Sequence, residues 1–249
     1  MRLKHAVIAA LDRELLIRIC RDLGLPADPH NDAAMAEGLT RQAGISEEYL
    51  LDYLNEKQVK TVCEKYGVAA VGRRGKLIKA LLQKEYGPTF VAIDFETADY
   101  SPDSACAVAL VRVENHAIVH RAFSLIRPPR RKFVFTYLHG ISWEDVANQP
   151  TFGELWPELQ PVMDGVDFLA AHNASFDRSV LQRCCAAAGL DPPGLPFRCT
   201  VELARKTWKI YPTKLPHVCR YLGIPLNHHE AASDAEACAR IVLAVHGVR

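Results

Sequence analysis

The stretch Phe90-Val-Ala-Ile-Asp94-Phe-Glu96-Thr97 decides the fold. An apolar run passes straight into two carboxylates separated by one residue. Side chains on a strand alternate between faces, so positions 94 and 96 project from the same one. Two anions side by side repel unless a proton or a cation lies between them, and burying them unpaired is costly. Crowded hard oxygens of this kind are the donor set of a divalent metal ion. The plain alternative is a strand that ends in two solvated acids. Two further acids in matching contexts speak against it.

Asp177 closes the run Leu169-Ala-Ala-His-Asn-Ala-Ser-Phe-Asp177, where a short apolar segment meets a polar turn and then a helical pattern. Asp234 lies in His228-His-Glu-Ala-Ala-Ser-Asp234, at the head of an Ala-rich helix, and His229 precedes it by five residues. In these five residues, their order and their spacing, residues 88–245 resemble the DnaQ-like 3′→5′ exonucleases of the DEDDh type, close to the epsilon subunits of bacterial replicases. A sister group has Tyr four residues before the last Asp; here that position is Glu230. His228 is read as a solvated loop histidine and Glu230 as a bystander.

The resemblance implies an RNase H-like fold and a site for two Mg²⁺ ions, with Mn²⁺ as a substitute. Asp94 would bridge both ions, Glu96 and Asp234 would complete the site on the side of the attacking water, and Asp177 would support the second ion. His229 would be the general base, a task that suits an imidazole whose unperturbed pKa lies near physiological pH. Weaker assignments are Thr97 at the terminal nucleotide, Asn173 as a helix cap or sugar–phosphate contact, and His139 in a loop bordering the cleft. Phe176 reads as a core residue. The basic stretch Arg121, Arg127, Arg130, Arg131 and Lys132 reads either as a guide for a strand or as a solvated loop.

Upstream of Gly87-Pro88 the pattern is helical throughout, and strand-like composition begins at Thr89, so two domains are expected, 1–86 and 88–249. A faint repeat runs through the first. Leu16, Ile19, Cys20, Gly24 and Leu25 align with Val59, Val62, Cys63, Gly67 and Val68, and Met35 and Leu39 with Ile78 and Leu82. Residues 54–82 resemble the SAP motif, a small helix–loop–helix nucleic-acid-binding module. Residues 57–84 carry eight basic side chains and one acid, a charge suited to phosphate contacts that salt weakens. Lys60, Arg73, Arg74, Lys76 and Lys79 are the candidate contacts. A basic hairpin that only packs on protein is the alternative. Gly72-Arg-Arg-Gly-Lys76 lacks the spacing of a phosphate-binding P-loop.

The second domain reads as strands at 89–96, 105–113, 117–126 and 166–172 with helices at 152–163, 176–188, 200–208, 214–222 and 231–246. This predicts an α/β fold, a mixed sheet flanked by helices. The 249 residues, 49% apolar and 24% charged with a formal net charge of +1, suit a soluble globular protein. No run is long enough for a membrane span, the charged N-terminus lacks a signal-peptide core, and no membrane partner is expected. Eight scattered cysteines without a CxxC point to a reducing compartment, the cytoplasm. The function expected is 3′→5′ exonuclease action on nucleic acid with a free 3′ end. Single-stranded DNA is favoured and RNA is the rival substrate; a polymerase or repair partner and a non-catalytic adaptor are the other readings.

Overall fold

The chain divides at Gly87-Pro88 into the units Met1–Gly87 and Pro88–Arg249. The structure, a computed structural model, describes residues 2–42 and 44–248. In the first unit six helices follow one another: α1 (Leu3–Ile8), α2 (Arg13–Asp22), α3 (Asp32–Arg41), α4 (Glu47–Asp52), α5 (Glu56–Tyr66) and α6 (Arg74–Tyr86). They form two copies of one three-helix pattern. Asp12 caps α2 by accepting the Leu15 amide, and Asn55 caps α5 by accepting that of Gln58. The two helices bury Leu16, Ile19 and Cys20, and Val59, Val62 and Cys63. Each ends on a left-handed glycine, Gly24 at φ 66° and Gly67 at φ 74°. The next amide then closes the turn, Leu25 to the Cys20 carbonyl at 2.7 Å and Val68 to that of Cys63 at 2.8 Å.

The likeness extends further back than the sequence pattern suggested, to Val7, Ile8 and Leu11 against Leu50, Leu51 and Leu54, all buried. Its register in the last helix differs from the expectation. Met35 and Leu39 are matched by buried Leu77 and Leu81, not by Ile78 and Leu82. The second copy is one residue shorter between its glycine and its last helix, which turns that helix by one position.

The second unit opens with an antiparallel meander, β1 (Phe90–Thr97), β2 (Ala105–Glu114) and β3 (Ala117–Leu125). Two short helices, α7 (Thr136–His139) and α8 (Trp143–Val146), precede α9 (Phe152–Leu159), which runs into a 3₁₀ turn at Gln160–Met163. Then come β4 (Phe168–Ala171), α10 (Ser175–Ala188), β5 (Phe197–Cys199), α11 (Thr200–Trp208), α12 (Leu215–Leu222) and α13 (Ala231–Val245). The sheet order is β3-β2-β1-β4-β5, with β4 parallel to both β1 and β5. The expected mixed sheet is present, with one short edge strand, β5, that the sequence pattern did not signal.

Alternation along β1 sends its side chains to two cores. Val91, Ile93 and Phe95 pack with Trp156 of α9 and Val180 and Leu181 of α10. Phe90 and Ala92 pack on the other face against Ala231, Ala235, Cys238 and Ala239 of α13. Asp94 and Glu96 continue this second row, so they emerge toward the first turn of α13. Small side chains on α13 let the helix lie close to the sheet there. Among the described residues no helix is long and apolar enough to cross a membrane.

Candidate active site

The two carboxylates at the end of β1 meet a third from the first turn of α13. The donor oxygens of Asp94, Glu96 and Asp234 all lie within 4.8 Å of one another. The fourth arrives from α10. Strand β4 pairs with β1 only as far as Ala92, and beyond that point Asp177 Oδ1 accepts the Phe95 amide at 3.1 Å. The amide finds an acceptor where the ladder stops, as a buried donor must, and Asp177 is thereby fixed between the strand positions of Asp94 and Glu96.

Four carboxylates in one buried site cannot all ionise without compensation. Burial, reinforced by Asp177, Asp234 and Glu96, drives the Asp94 carboxyl well above the ordinary carboxylate range. Burial and the charges of Asp234 and Asp177 push Glu96 up to about 8. Burial raises Asp177 to about 7 against the lowering effect of the Phe95 amide. Asp234 is also raised by burial. Its two oxygens differ. Oδ2 accepts from His228 Nδ1 at 2.9 Å and from the His229 amide at 3.2 Å, whereas Oδ1 is buried with no hydrogen-bond partner among the described residues. Bare buried oxygen lone pairs among mutually repelling carboxylates are what a hard divalent cation fits.

His229 stands at the rim. Its backbone is left-handed, φ 70°, and its ring stacks on that of His228 with centroids 3.9 Å apart and planes 22° from parallel. Burial and the neighbouring His228 lower its pKa. His228 is an exposed loop residue, as the sequence suggested, and it also bonds Asp234 and stacks on His229. Glu230 is exposed and accepts the Asn227 side-chain amide at 2.6 Å.

Asp94, Glu96, His228, His229 and Asp234 line a cleft of about 830 Å³, and Asp177 is buried. Thr97 is buried beside it, its carbonyl accepting from His139 Nε2 at 3.2 Å, and His139 Nδ1 accepts the Ile141 amide at 3.0 Å. The His139 ring thus ties the α7 loop to the end of β1. Asn173 lines the cleft without capping α10. Its side chain accepts from the Ser175 hydroxyl, at 3.2 Å, and its φ is 68°. Phe176, read as core, is 44% exposed and forms cleft wall, because its neighbour Asp177 takes the inward position on α10. Much of the basic stretch is held by protein. Arg130 clamps Asp99 at 3.2 Å and Asp103 at 2.5 and 3.0 Å, Arg121 pairs with Glu236 at 2.8 Å, and Arg131 lies over the Trp143 ring.

The sequence reading missed His172, although it lies in the quoted Asp177 run. Its Nε2 donates to the Thr213 carbonyl at 3.0 Å, and its Nδ1 faces the Thr200 hydroxyl at 2.9 Å. A carbonyl only accepts, so the proton sits on Nε2. Burial lowers this ring to about 4. It also missed Tyr211, 74% exposed, and Lys214, which line the cleft.

In the first unit Arg74 spends its guanidinium on backbone. It donates to the carbonyls of Leu54 at 2.8 Å and of Leu51 and Asp52 at 3.0 Å. Lys60 pairs with Glu56 at 2.7 Å. Arg73 and Lys76 are exposed at the head of α6, and Lys79 is exposed further along it.

Residues 91–242 match the family model RNase_T, described as exonuclease. The chain belongs to this exonuclease family. A PolC-type DNA polymerase III from Thermotoga petrophila is 31% identical over 160 residues, 62% of this chain but only 12% of the polymerase. The chain thus spans a small part of such relatives. Exonuclease X in complex with 5′ overhanging duplex DNA superposes with a TM-score of 0.53 at 25% identity, over 64% of this chain and 91% of that one. A 3′-exonuclease solved in recognition of the histone mRNA stem-loop superposes with a TM-score of 0.56 at 17% identity. It covers 80% of this chain and 82% of its own. The mixed sheet with flanking helices is the RNase H-like fold of these exonucleases.

Proposed function

We propose that the second unit hydrolyses phosphodiester bonds at 3′ ends of nucleic acid, releasing nucleoside 5′-monophosphates. The observation that carries this reading is the convergence of Asp94, Glu96 and Asp234, donor oxygens within 4.8 Å of one another, with Asp177 tied in by the Phe95 amide. Two Mg²⁺ ions, or Mn²⁺, held by these four carboxylates would offset charge on the phosphoryl oxygens and favour ionisation of the attacking water. Asp94, Glu96, Asp177 and Asp234 would hold the ions, with Glu96 and Asp234 serving the side of the attacking water and Asp177 supporting the second ion, as the family resemblance implies. The His229 ring accepts the proton of the attacking water. Its lowered pKa keeps it neutral, and so competent to accept, at pH 7. Asn173 and the Thr97 backbone flank the terminal sugar, and exposed Phe176 offers a face on which a base stacks.

DNA is the favoured substrate, supported by the likeness to a DNA polymerase and to Exonuclease X with its duplex DNA. RNA is the second reading. It is suggested by the 3′-exonuclease of like fold that recognises an mRNA stem-loop. A polymerase or repair assembly is the partner class that the PolC-type likeness suggests, and eight free thiols fit the cytoplasm.

The first unit, in this reading, is a SAP-like module that holds the strand. Only its second copy is suited to phosphate. Lys57, Lys65, Arg74 and Lys79 of that copy stand where the first has Glu14, Asp22, Asp32 and Glu37. Arg73 and Lys76, exposed beside the extended 68–73 segment, are the foremost contacts.

The test is incubation of 3′- and 5′-labelled single-stranded DNA, duplex DNA and RNA with purified protein and Mg²⁺ or Mn²⁺. Mononucleotides should accumulate from the 3′ end, and Asp94→Ala or His229→Ala should abolish them without unfolding the protein. Undiminished release by either variant would remove the basis of the assignment.

A further inference from the structure

We propose that His228 is a positioning residue that sets the orientation of both Asp234 and His229, an inference that rests on the roles given to those two residues above. The Asp234 carboxylate is pinned along one edge and left bare along the other. Oδ2 accepts His228 Nδ1 at 2.9 Å and the His229 amide at 3.2 Å, while Oδ1 is buried without a partner among the described residues. A carboxylate oxygen only accepts, so Nδ1 of His228 carries the proton in this contact. The donated bond fixes one edge of the Asp234 carboxylate, and an oxygen of that carboxylate lies within 4.8 Å of donor oxygens of Asp94 and Glu96. Metal-binding carboxylates depend on such outer hydrogen bonds for their orientation.

The same ring also supports His229. That residue has φ 70°, a conformation that costs a side-chain-bearing residue of this kind about 1 kcal/mol or more. Two contacts hold it there, the amide bond to Asp234 and the face of His228 at 3.9 Å. A rival use of the cluster is a transition-metal site, since donors of His228, His229 and Asp234 also lie within 4.8 Å of one another. The ring geometry opposes it. Lone pairs of imidazole lie in the ring plane, and two rings 3.9 Å apart and only 22° from parallel cannot both aim at one ion. His228 Nδ1 is in addition already given to Asp234.

Three substitutions separate the two duties. His228→Asn keeps an amide donor near the place of Nδ1 and loses the stack. His228→Phe keeps the stack and loses the donor, and His228→Ala loses both. Mn²⁺ binding to the full chain is measured by calorimetry without nucleic acid, and single-turnover cleavage of a 3′-labelled oligonucleotide is measured at saturating Mn²⁺. His228→Ala should weaken Mn²⁺ binding by about tenfold, the scale of lost outer-shell bonds, and slow cleavage. His228→Asn should regain the affinity but not the rate, and His228→Phe the reverse. Wild-type affinity and rate in His228→Ala, or equal losses of both in the Asn and Phe variants, overturn the proposal. A His229→Ala control that cleaves like wild type, or wild-type protein that binds no Mn²⁺, sinks the reading of the site and this proposal with it.

Discussion

The Phe95 amide donates to Asp177 Oδ1 across 3.1 Å, joining a strand to a helix residue 82 positions away at the point where β4 stops pairing with β1. The bond needs an acceptor and not a charge. Asp177→Asn keeps the acceptor, so the variant should fold as wild type does. Its Mn²⁺ affinity should fall, and its turnover should drop about 100-fold or more, the scale seen when one preorganised charge contact is lost. Turnover within a few-fold of wild type would show that Asp177 only ties helix to strand.

Arg74 and its neighbours Arg73 and Lys76 should separate cleanly. Arg74 satisfies three carbonyls at the end of α4, so Arg74→Ala should cost the first unit about 1.5–3 kcal/mol of stability. Arg73→Ala with Lys76→Ala should leave stability unchanged and flatten the salt dependence of strand binding, by about one counterion for each phosphate contact removed. Denaturant melts and binding titrations over a salt series read the two effects. A stable Arg74→Ala, or an unchanged salt slope in the double variant, would contradict this division.

His172 joins the end of β4 to two segments, through the Thr213 carbonyl and the Thr200 hydroxyl. Arg205 reinforces the first by donating to Thr213 Oγ1 at 3.1 Å. These contacts fix the 209–214 wall of the cleft, which carries Tyr211. His172→Ala strands two polar groups, at a cost of about 1–3 kcal/mol. The substrate KM should rise more than kcat falls, because the wall binds without reacting. An unaltered KM with lowered kcat would place His172 in the chemistry instead.

What the sequence made legible follows from local periodicity. Strand alternation was enough to put Asp94 and Glu96 on one face, and the segments around Asp177 and Asp234 announced themselves as turn-to-helix starts. Contacts that cross the chain left no such trace. His172 reaches Thr200 and Thr213, 28 and 41 residues away, and the partners of Arg130 lie 27 and 31 residues away. Strand β5 has only three residues, too few to alternate visibly. Phe176 was misread because an aromatic on a helical pattern ordinarily faces the core, whereas here the inward position belongs to Asp177. The register of α6 slipped because one residue is missing from a loop, which no helix periodicity records.

The carboxylate cluster makes the stability of chelator-treated protein depend on pH with a definite sign. Glu96 is raised from an ordinary 4.5 to about 8 and Asp177 from 3.8 to about 7. The folded state therefore holds protons that the unfolded chain has released, and stability falls as pH rises through this range. His172 acts oppositely. Lowered from 6.5 to about 4, it binds a proton more readily when unfolded and so makes stability rise with pH between those values. The two contributions offset one another below pH 6.5 and part above it. Thermal midpoints measured in EDTA should thus decline from pH 6.5 to 8.5, and Mn²⁺ should raise them more at pH 8.5 than at pH 6.5, because the metal replaces the lost protons. Asp177→Asn, which cannot ionise, should show a shallower decline. A midpoint that stays level or climbs over this interval in EDTA would mean the carboxylates are not packed closely enough to hold shared protons.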